Sequence, residues 1–372
     1  MDVQRLQESF ARMTMHGDAV PLFFYSDLFL RHPETRDLFP ISMAAQRDRL
    51  VHALARVVSD VDRFDGLTGY LQDLGREHRK FGAIAEYYPH VGTSLMATVA
   101  HFNGPAWTPE LAADWKQAYE LISSIMTAAA TADERLRPAW WKGTVVSHEP
   151  RAFDVAVLLV RPEPRMDYLP GQSVAIECPS RPRLWRYYSM ANAPRPDSLL
   201  EFHIRLIDGG AVSMALTSSA IVDTELRMGS PVGALTLSQP HSGRDLLLVA
   251  GSTGLAPLKA ILDGVTSLPQ PPRVHLFFGA RNAEGLYDQD SLEKMAAQHP
   301  WLTVTPAACD SLKFDGETGS LPDVVARHGS WSGHDAYLAG PTEMVKETVT
   351  RLASAGVPRD QIHIEDFGWS EP

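Results

Sequence analysis

Along the first 135 residues apolar positions return every three or four places, and nothing alternates like a strand. Breaks fall at Gly17, Pro33, Pro40, Pro89 and Gly104-Pro105, so this part predicts a bundle of helices. One stripe stands out: Leu67, Tyr70, Leu71, Leu74, His78 and Phe81 step by three or four, which lines them along one helix face and turns His78 toward the core. Around Leu136-Arg137-Pro138 the pattern changes to short β-rich runs at 143–146, 153–160, 173–176 and 199–206, parted by Pro and Gly turns, as in a small antiparallel barrel. From about Asp245, strand-like runs at 246–250, 274–278 and 336–339 alternate with helical stretches at 255–265, 291–298 and 342–355, the pattern of a parallel α/β sheet. The Pro-rich stretch 268–272 reads as a loop. The expected domains are 1–135, 136–240 and 241–372.

A length of 372 residues agrees with two or three domains at roughly 100–200 residues each. The net charge of −11 repels a phosphate backbone, which argues against general nucleic-acid binding. No apolar run reaches the roughly 18–20 residues of a transmembrane segment. The opening MDVQRLQESFARM carries charges where an export signal needs an apolar core, so the expected location is the cytoplasm. Cys178 and Cys309 are the two cysteines, too few for a disulfide framework, a four-Cys zinc site or a Cys-ligated iron–sulfur cluster. Any resident metal needs other ligands.

Candidate chemistry begins at Gly251-Ser252-Thr253-Gly254, between a buried run and a helix, where glycines let the backbone approach a pyrophosphate at a helix N-terminus. Gly279-Ala-Arg281 and Gly340-Pro341 follow two further strands, so three strand ends carry residues suited to a ligand at the carboxyl edge of a sheet. Upstream lie Arg186-Tyr187-Tyr188-Ser189, then Phe202-His203-Ile204-Arg205, then Gly209-Gly210-Ala211-Val212-Ser213. Arginine is a multi-donor phosphate partner, an aromatic ring stacks on a flavin, and a hydroxyl can hydrogen-bond a flavin N5 edge. From 141 to 367 the arrangement resembles the ferredoxin–NADP reductase superfamily, with a flavour similar to the reductases of aromatic-ring dioxygenases and monooxygenases.

That resemblance implies FAD with Arg186 on its pyrophosphate, Tyr188 and Ser189 at the isoalloxazine, His203 and Arg205 on the adjoining segment, and Gly210 and Ser213 at the diphosphate. It implies NAD(P)H at Gly251, Ser252, Thr253, Gly254, Gly340 and Pro341, and an aromatic cover for the flavin at Phe367. Ala339 stands where many relatives carry a cysteine beside the nicotinamide. Arg281 suits a 2′-phosphate as well as it suits a solvated loop; NADH is favoured.

A flavin takes a hydride and releases single electrons, so an acceptor is required, and the cysteine count points to the helical domain. There Phe24-Tyr25, the corner from Pro33 to Phe39-Pro40, Gln46 to Leu50, His78 to Phe81, and Tyr87-Tyr88-Pro89-His90-Val91-Gly92 resemble a bacterial globin. The resemblance implies haem b with its iron on His78, Phe39 and Phe81 against the porphyrin, Tyr25, Gln46 and Leu50 on the distal side, and Tyr88 on the proximal side.

An all-α globin, an antiparallel β-barrel FAD domain and an α/β parallel-sheet NAD(P)-binding domain, in that order, resemble the flavohaemoglobins. This implies an oxidoreductase passing electrons from NAD(P)H through FAD to haem, with O2 and NO as substrates, nitrate as product and no obligatory protein partner. One departure matters. Counting from Tyr119 puts Ala130 where the proximal glutamate of well-studied members belongs, with Glu134 one turn later. A divergent subclass lacking the proximal Tyr–Glu pair is associated with other redox roles, such as D-lactate oxidation. A flavin reductase serving a separate oxygenase and a haem-based redox or gas sensor also stay open.

Overall fold

The structure, a computed structural model, describes residues 1–60, 64–237, 243–310 and 314–365. It divides into two compact units, Met1–Trp140 and Trp141–Glu371.

The first unit is helical: α1 (Val3–Thr14), α2 (Ala19–Arg31), α3 (Ala44–Asp60), α4 (Phe64–His78), α5 (Tyr87–Asn103) and α6 (Pro109–Glu134). Caps set the ends. The Asp2 side chain accepts from the Arg5 amide, and Thr108 does the same for Leu111, with Pro109 in the first turn. Pro89 corrects the expected break: it sits inside the first turn of α5, where a missing amide costs no helical bond. Leu6, Met13, Leu28, Val99, Leu111 and Trp115 are almost wholly buried between α1, α2, α5 and α6, each such side chain contributing about 1.5–3 kcal/mol by burial. Gly75 lets α4 and α6 touch, because a Cβ there would lie 2.3 Å from the Met126 carbonyl oxygen.

The second unit holds two sheets. The first is antiparallel: β1 (Trp141–Ala152), β2 (Val155–Glu163), β3 (Ser173–Glu177), β4 (Arg186–Ser189), β5 (Leu200–Arg205), the short α7 (Ala211–Met214) outside it, and β6 (Glu225–Met228), in the order β4-β3-β6-β1-β2-β5. An antiparallel bridge from Met190 to Phe202 joins the ends of that order, which makes the sheet a barrel filled by Phe202, Met190, Leu158 and Ile176. Phe153, expected inside a strand, is instead at the exposed tip of the β1–β2 hairpin, since the Asp154 turn forces reversal one residue later.

The other sheet is parallel: β7 (Asp245–Gly251), β8 (Val274–Ala280), β9 (Leu302–Ala308), β10 (Glu317–Thr318), β11 (His334–Ala339) and β12 (Ile362–Ile364), ordered β10-β9-β8-β7-β11-β12. The helices α8 (Leu255–Thr266), α9 (Gln289–Gln298), α10 (Leu321–Arg327) and α11 (Thr342–Ser354) follow its strands. From β7 the chain builds outward through β8 and β9, then returns to the opposite side of β7 with β11. The loops after β7 and β11 therefore flank the point where strand order reverses, the place where open α/β sheets bind ligands.

Candidate functional site

At that reversal point the two loops come into backbone contact. Gly340 has φ +146°, open to glycine alone, and a Cβ on it would lie 2.9 Å from the Gly251 Cα. A Cβ on Gly254 would lie 2.3 Å from the Ala339 carbonyl oxygen, while Pro341 and Met344 close over Gly251. Ser252, Thr253 and Gly254 form a tight turn leading into α8, and Ser252 is held at φ +54°. The result is a turn lined largely by glycine backbone at a helix N-terminus, which fits the pyrophosphate and ribose of a dinucleotide. Arg281 lies exposed after β8.

The barrel supplies the neighbouring surface. Arg186 is exposed and donates to the Trp185 carbonyl at 2.9 Å, and Tyr188 packs on the barrel core, its phenol pushed well above its ordinary value by burial. Ser189 Oγ donates to Glu365 Oε1 at 2.8 Å, and burial raises the Glu365 carboxyl to about 7 against that bond. No sequence signal marks Glu365, because its partner is set by the pairing of β4 and not by spacing. Arg205 donates to Asp154 at 2.7 Å and to the Ser252 hydroxyl at 3.1 Å, tying the barrel to the nucleotide turn.

Two residues assigned to FAD turn inward. Ser213 Oγ accepts from the Ile207 amide at 3.1 Å and donates to the Gly210 carbonyl at 3.0 Å, so its hydroxyl fixes the turn. Gly210 is required by that turn, since a Cβ would lie 2.5 Å from Ser213 Oγ. His203 is buried, with Nε2 3.0 Å from Glu201 and Nδ1 2.8 Å from the Tyr287 hydroxyl. A carboxylate only accepts, so Nε2 carries the proton and Nδ1 accepts from Tyr287. Glu201 also meets Lys259 at 2.9 Å, and Lys259 meets Asp288 at 2.7 Å, which Arg151 reaches at 3.3 Å. His203 thus belongs to a buried charge network between β5 and α8. Phe367 lies outside the described residues.

In the helical unit, α3 packs against both α2 and α4. Tyr25 on α2 is buried, and its hydroxyl meets Gln46 of α3 twice, accepting from Nε2 at 3.3 Å and donating to the main-chain oxygen at 3.4 Å. Burial pushes the Tyr25 phenol up to about 12, so it stays a proton donor. Its ring meets Phe39 edge-on at 5.4 Å, and Leu50 packs on the same apolar cluster.

His78 closes α4. Its Nδ1 lies 2.7 Å from the Leu74 carbonyl oxygen, which only accepts, so Nδ1 carries the proton and Nε2 presents its lone pair. Among the described residues nothing bonds Nε2. A half-buried imidazole fixed in this tautomer, with Phe81 edge-on at 6.1 Å, fits a residue that would hold a haem iron. Tyr88 packs beside Leu74 on a separate cluster, and among the described residues no hydrogen bond joins it to His78. Although α6 does run on to Glu134, that side chain is exposed; the buried acid is Asp133, which pairs with Arg79 and Arg137. The acid on this side therefore holds the residue after His78 and not its ring.

Residues 22–126 match the globin family, 141–237 the oxidoreductase FAD-binding domain and 248–350 the oxidoreductase NAD-binding domain. Over 228 residues, 61% of this chain and 68% of the relative, the sequence is 35% identical to the ferredoxin–NAD(P)+ reductase component of the naphthalene 1,2-dioxygenase system from Pseudomonas putida. A flavohemoprotein from Rhizobium meliloti (strain 1021) is 28% identical over 387 residues, covering 96% of this chain and 94% of the relative. Among solved structures, a flavohemoglobin from Malassezia yamatoensis with bound FAD and heme superposes with a TM-score of 0.78 at 18% identity, covering 98% of both chains. Among the described residues no helix is long and apolar enough to cross a membrane.

Proposed function

The chain belongs to the flavohaemoproteins, oxidoreductases that join FAD- and NAD-binding reductase domains to a globin, and on that premise we propose that it is a cytoplasmic NAD(P)H-dependent nitric oxide dioxygenase. The observation that carries the reading is the buried Tyr25 hydroxyl paired with Gln46, a donor suited to oxygen chemistry, in the same unit as a histidine with a free Nε2. When bound, NADH supplies a hydride, FAD splits it into single electrons, and haem accepts these and activates O2 toward NO.

The chain's own residues do the rest. His78 Nε2 would hold the iron of a bound haem, and the Leu74 carbonyl fixes its ring. The Tyr25 hydroxyl, held by Gln46, would be the donor available to a ligand of a bound haem, and Phe39 and Leu50 would help to exclude water from it. In the reductase the cradle of Gly251, Gly254 and Gly340 takes the dinucleotide, Arg186 the FAD pyrophosphate and Tyr188 the flavin ring. Ser189 and Glu365 hold a proton path at the flavin edge.

The test follows NO loss and nitrate formation with NADH and O2 in the fully loaded protein. Wild type is expected to consume NO, His78→Ala to lose that activity while keeping FAD-dependent dye reduction, and Tyr25→Phe to release O2 about 10- to 100-fold faster, the worth of one strong hydrogen bond. Equal NO consumption by wild type and His78→Ala would refute the mechanism. The similarity to a dioxygenase reductase favours a second reading, electron delivery to a separate oxygenase; it predicts dye reduction without NO turnover in the wild type.

A further inference from the structure

His32, Glu34 and His90 form a group that neither the haem nor the flavin reading uses. His32 ends α2, Glu34 follows one residue beyond Pro33, and His90 lies in the first turn of α5. The two imidazoles stack with centroids 3.6 Å apart and planes 19° from parallel. Glu34 Oε1 lies 3.5 Å from His32 Nδ1, and one ligand atom from each of the three lies within 4.8 Å of the others.

We infer that this group is a binding site for a borderline divalent transition cation, with Zn2+ as the preferred occupant, fastening the end of α2 to the start of α5. The donor set decides the class: two imidazoles and one carboxylate suit Zn2+, Cu2+ and Ni2+, whereas Ca2+ and Mg2+ require mostly oxygen. A tetrahedral zinc at about 2.0–2.1 Å spaces its donors by roughly 3.3 Å, so no pair has to close by more than about 1.5 Å. The side chains have that freedom, since Glu34 is exposed and both rings are half-buried. The backbone beneath is fixed. The His32 amide donates to the Leu28 carbonyl at 2.8 Å, and its own carbonyl accepts from the Thr35 amide at 3.0 Å and hydroxyl at 2.7 Å. Pro33 locks the link between His32 and Glu34. Three protein ligands leave a fourth position for water. Occupancy joins the corner leading to Phe39 with the turn carrying Tyr88.

The experiment titrates Zn2+ into the haem- and FAD-loaded protein, stripped of loosely bound metal, by calorimetry, and repeats it with Cu2+ under electron paramagnetic resonance. Wild type is expected to take up one Zn2+ per chain at this site, to melt at a higher temperature when saturated, and to give a Cu2+ spectrum split by two nitrogens. His32→Asn and His90→Ile should each weaken Zn2+ binding at least tenfold and Glu34→Gln less, with the haem spectrum and dye reduction unchanged. Undiminished affinity in the His32→Asn/His90→Ile double variant would overturn the site. So would a wild-type Cu2+ spectrum with one nitrogen or none, a measurement that needs no variant to fold.

Discussion

Ser189 and Glu365 are 176 positions apart and meet across 2.8 Å. The carboxyl, raised to about 7 by burial, changes charge in the working pH range, and it touches the hydroxyl assigned to the flavin edge. With FAD bound as proposed, the Glu365 carboxylate, once deprotonated, would be the group placed to accept a proton at that edge. The reoxidation rate is therefore expected to rise as pH passes about 7, and Glu365→Gln to flatten that profile and lower the high-pH rate by about 10²-fold, read by stopped-flow absorbance. A profile unchanged by the substitution would remove Glu365 from the proton path. His78 stands out in the sequence because helical periodicity places a polar group on an apolar face, whereas Tyr25 stands out only by the resemblance to bacterial globins. For His203 and Ser213 the sequence does not reveal the partners the fold supplies, since Glu201, Tyr287 and the Ile207 amide reach them through pairings that spacing alone does not specify.

At the level of elements, β7, β8 and β11 were legible because a strand covered on both faces reads as an unbroken apolar run, and all three are buried along nearly their whole length. By contrast β9 was not, since Thr303, Thr305 and Pro306 interrupt its apolar signal, and four-residue β6 is too short to show a period. The nucleotide turn was recognisable by its glycines, yet the reason for them is tertiary: Gly254 abuts the Ala339 carbonyl at the end of β11. Gly254→Ala is expected to cost about 1–3 kcal/mol by overpacking and to raise the KM for NADH at least tenfold, with haem content unchanged. A urea melt with steady-state kinetics checks both, and a wild-type KM would show the two loops to be slack.

On the scale of the whole molecule, the change from three- and four-residue spacing to alternation puts a boundary at 135/136, and the two compact units divide between Trp140 and Trp141. What composition could not announce is the network linking the two sheets of the second unit. Burial holds His203 neutral below its ordinary value, outweighing the Glu201 bond. Burial works to raise Glu201, but the bonds and charges of His203 and Lys259 hold it well below the usual carboxylate range. Both lose stability as acid is added, in different windows. The unfolded chain protonates this histidine near 6.5 and the folded chain only lower, so its contribution erodes below about 6.5; that of Glu201 is intact above about 4.5 and goes further down. His203→Gln is therefore expected to reduce the fall in stability between pH 6.5 and 5.5 by up to about 1.4 kcal/mol, the worth of one proton per unit, measured by urea melts at each pH.

The same network bears on motion. Glu201 sits on the barrel side, and Lys259 and Asp288 on the nucleotide side, so swinging the sheets apart would strand buried charges at about 3–5 kcal/mol. An opened form is then populated at less than about one molecule in a hundred. Hydride transfer in this chain therefore needs no clamshell closure. The spacing between the barrel and the nucleotide turn is fixed during folding, and on the proposed function the rate of flavin reduction by NADH is expected to be insensitive to solvent viscosity. In that respect the reductase is a jig, with its gap already set, and not a pair of jaws.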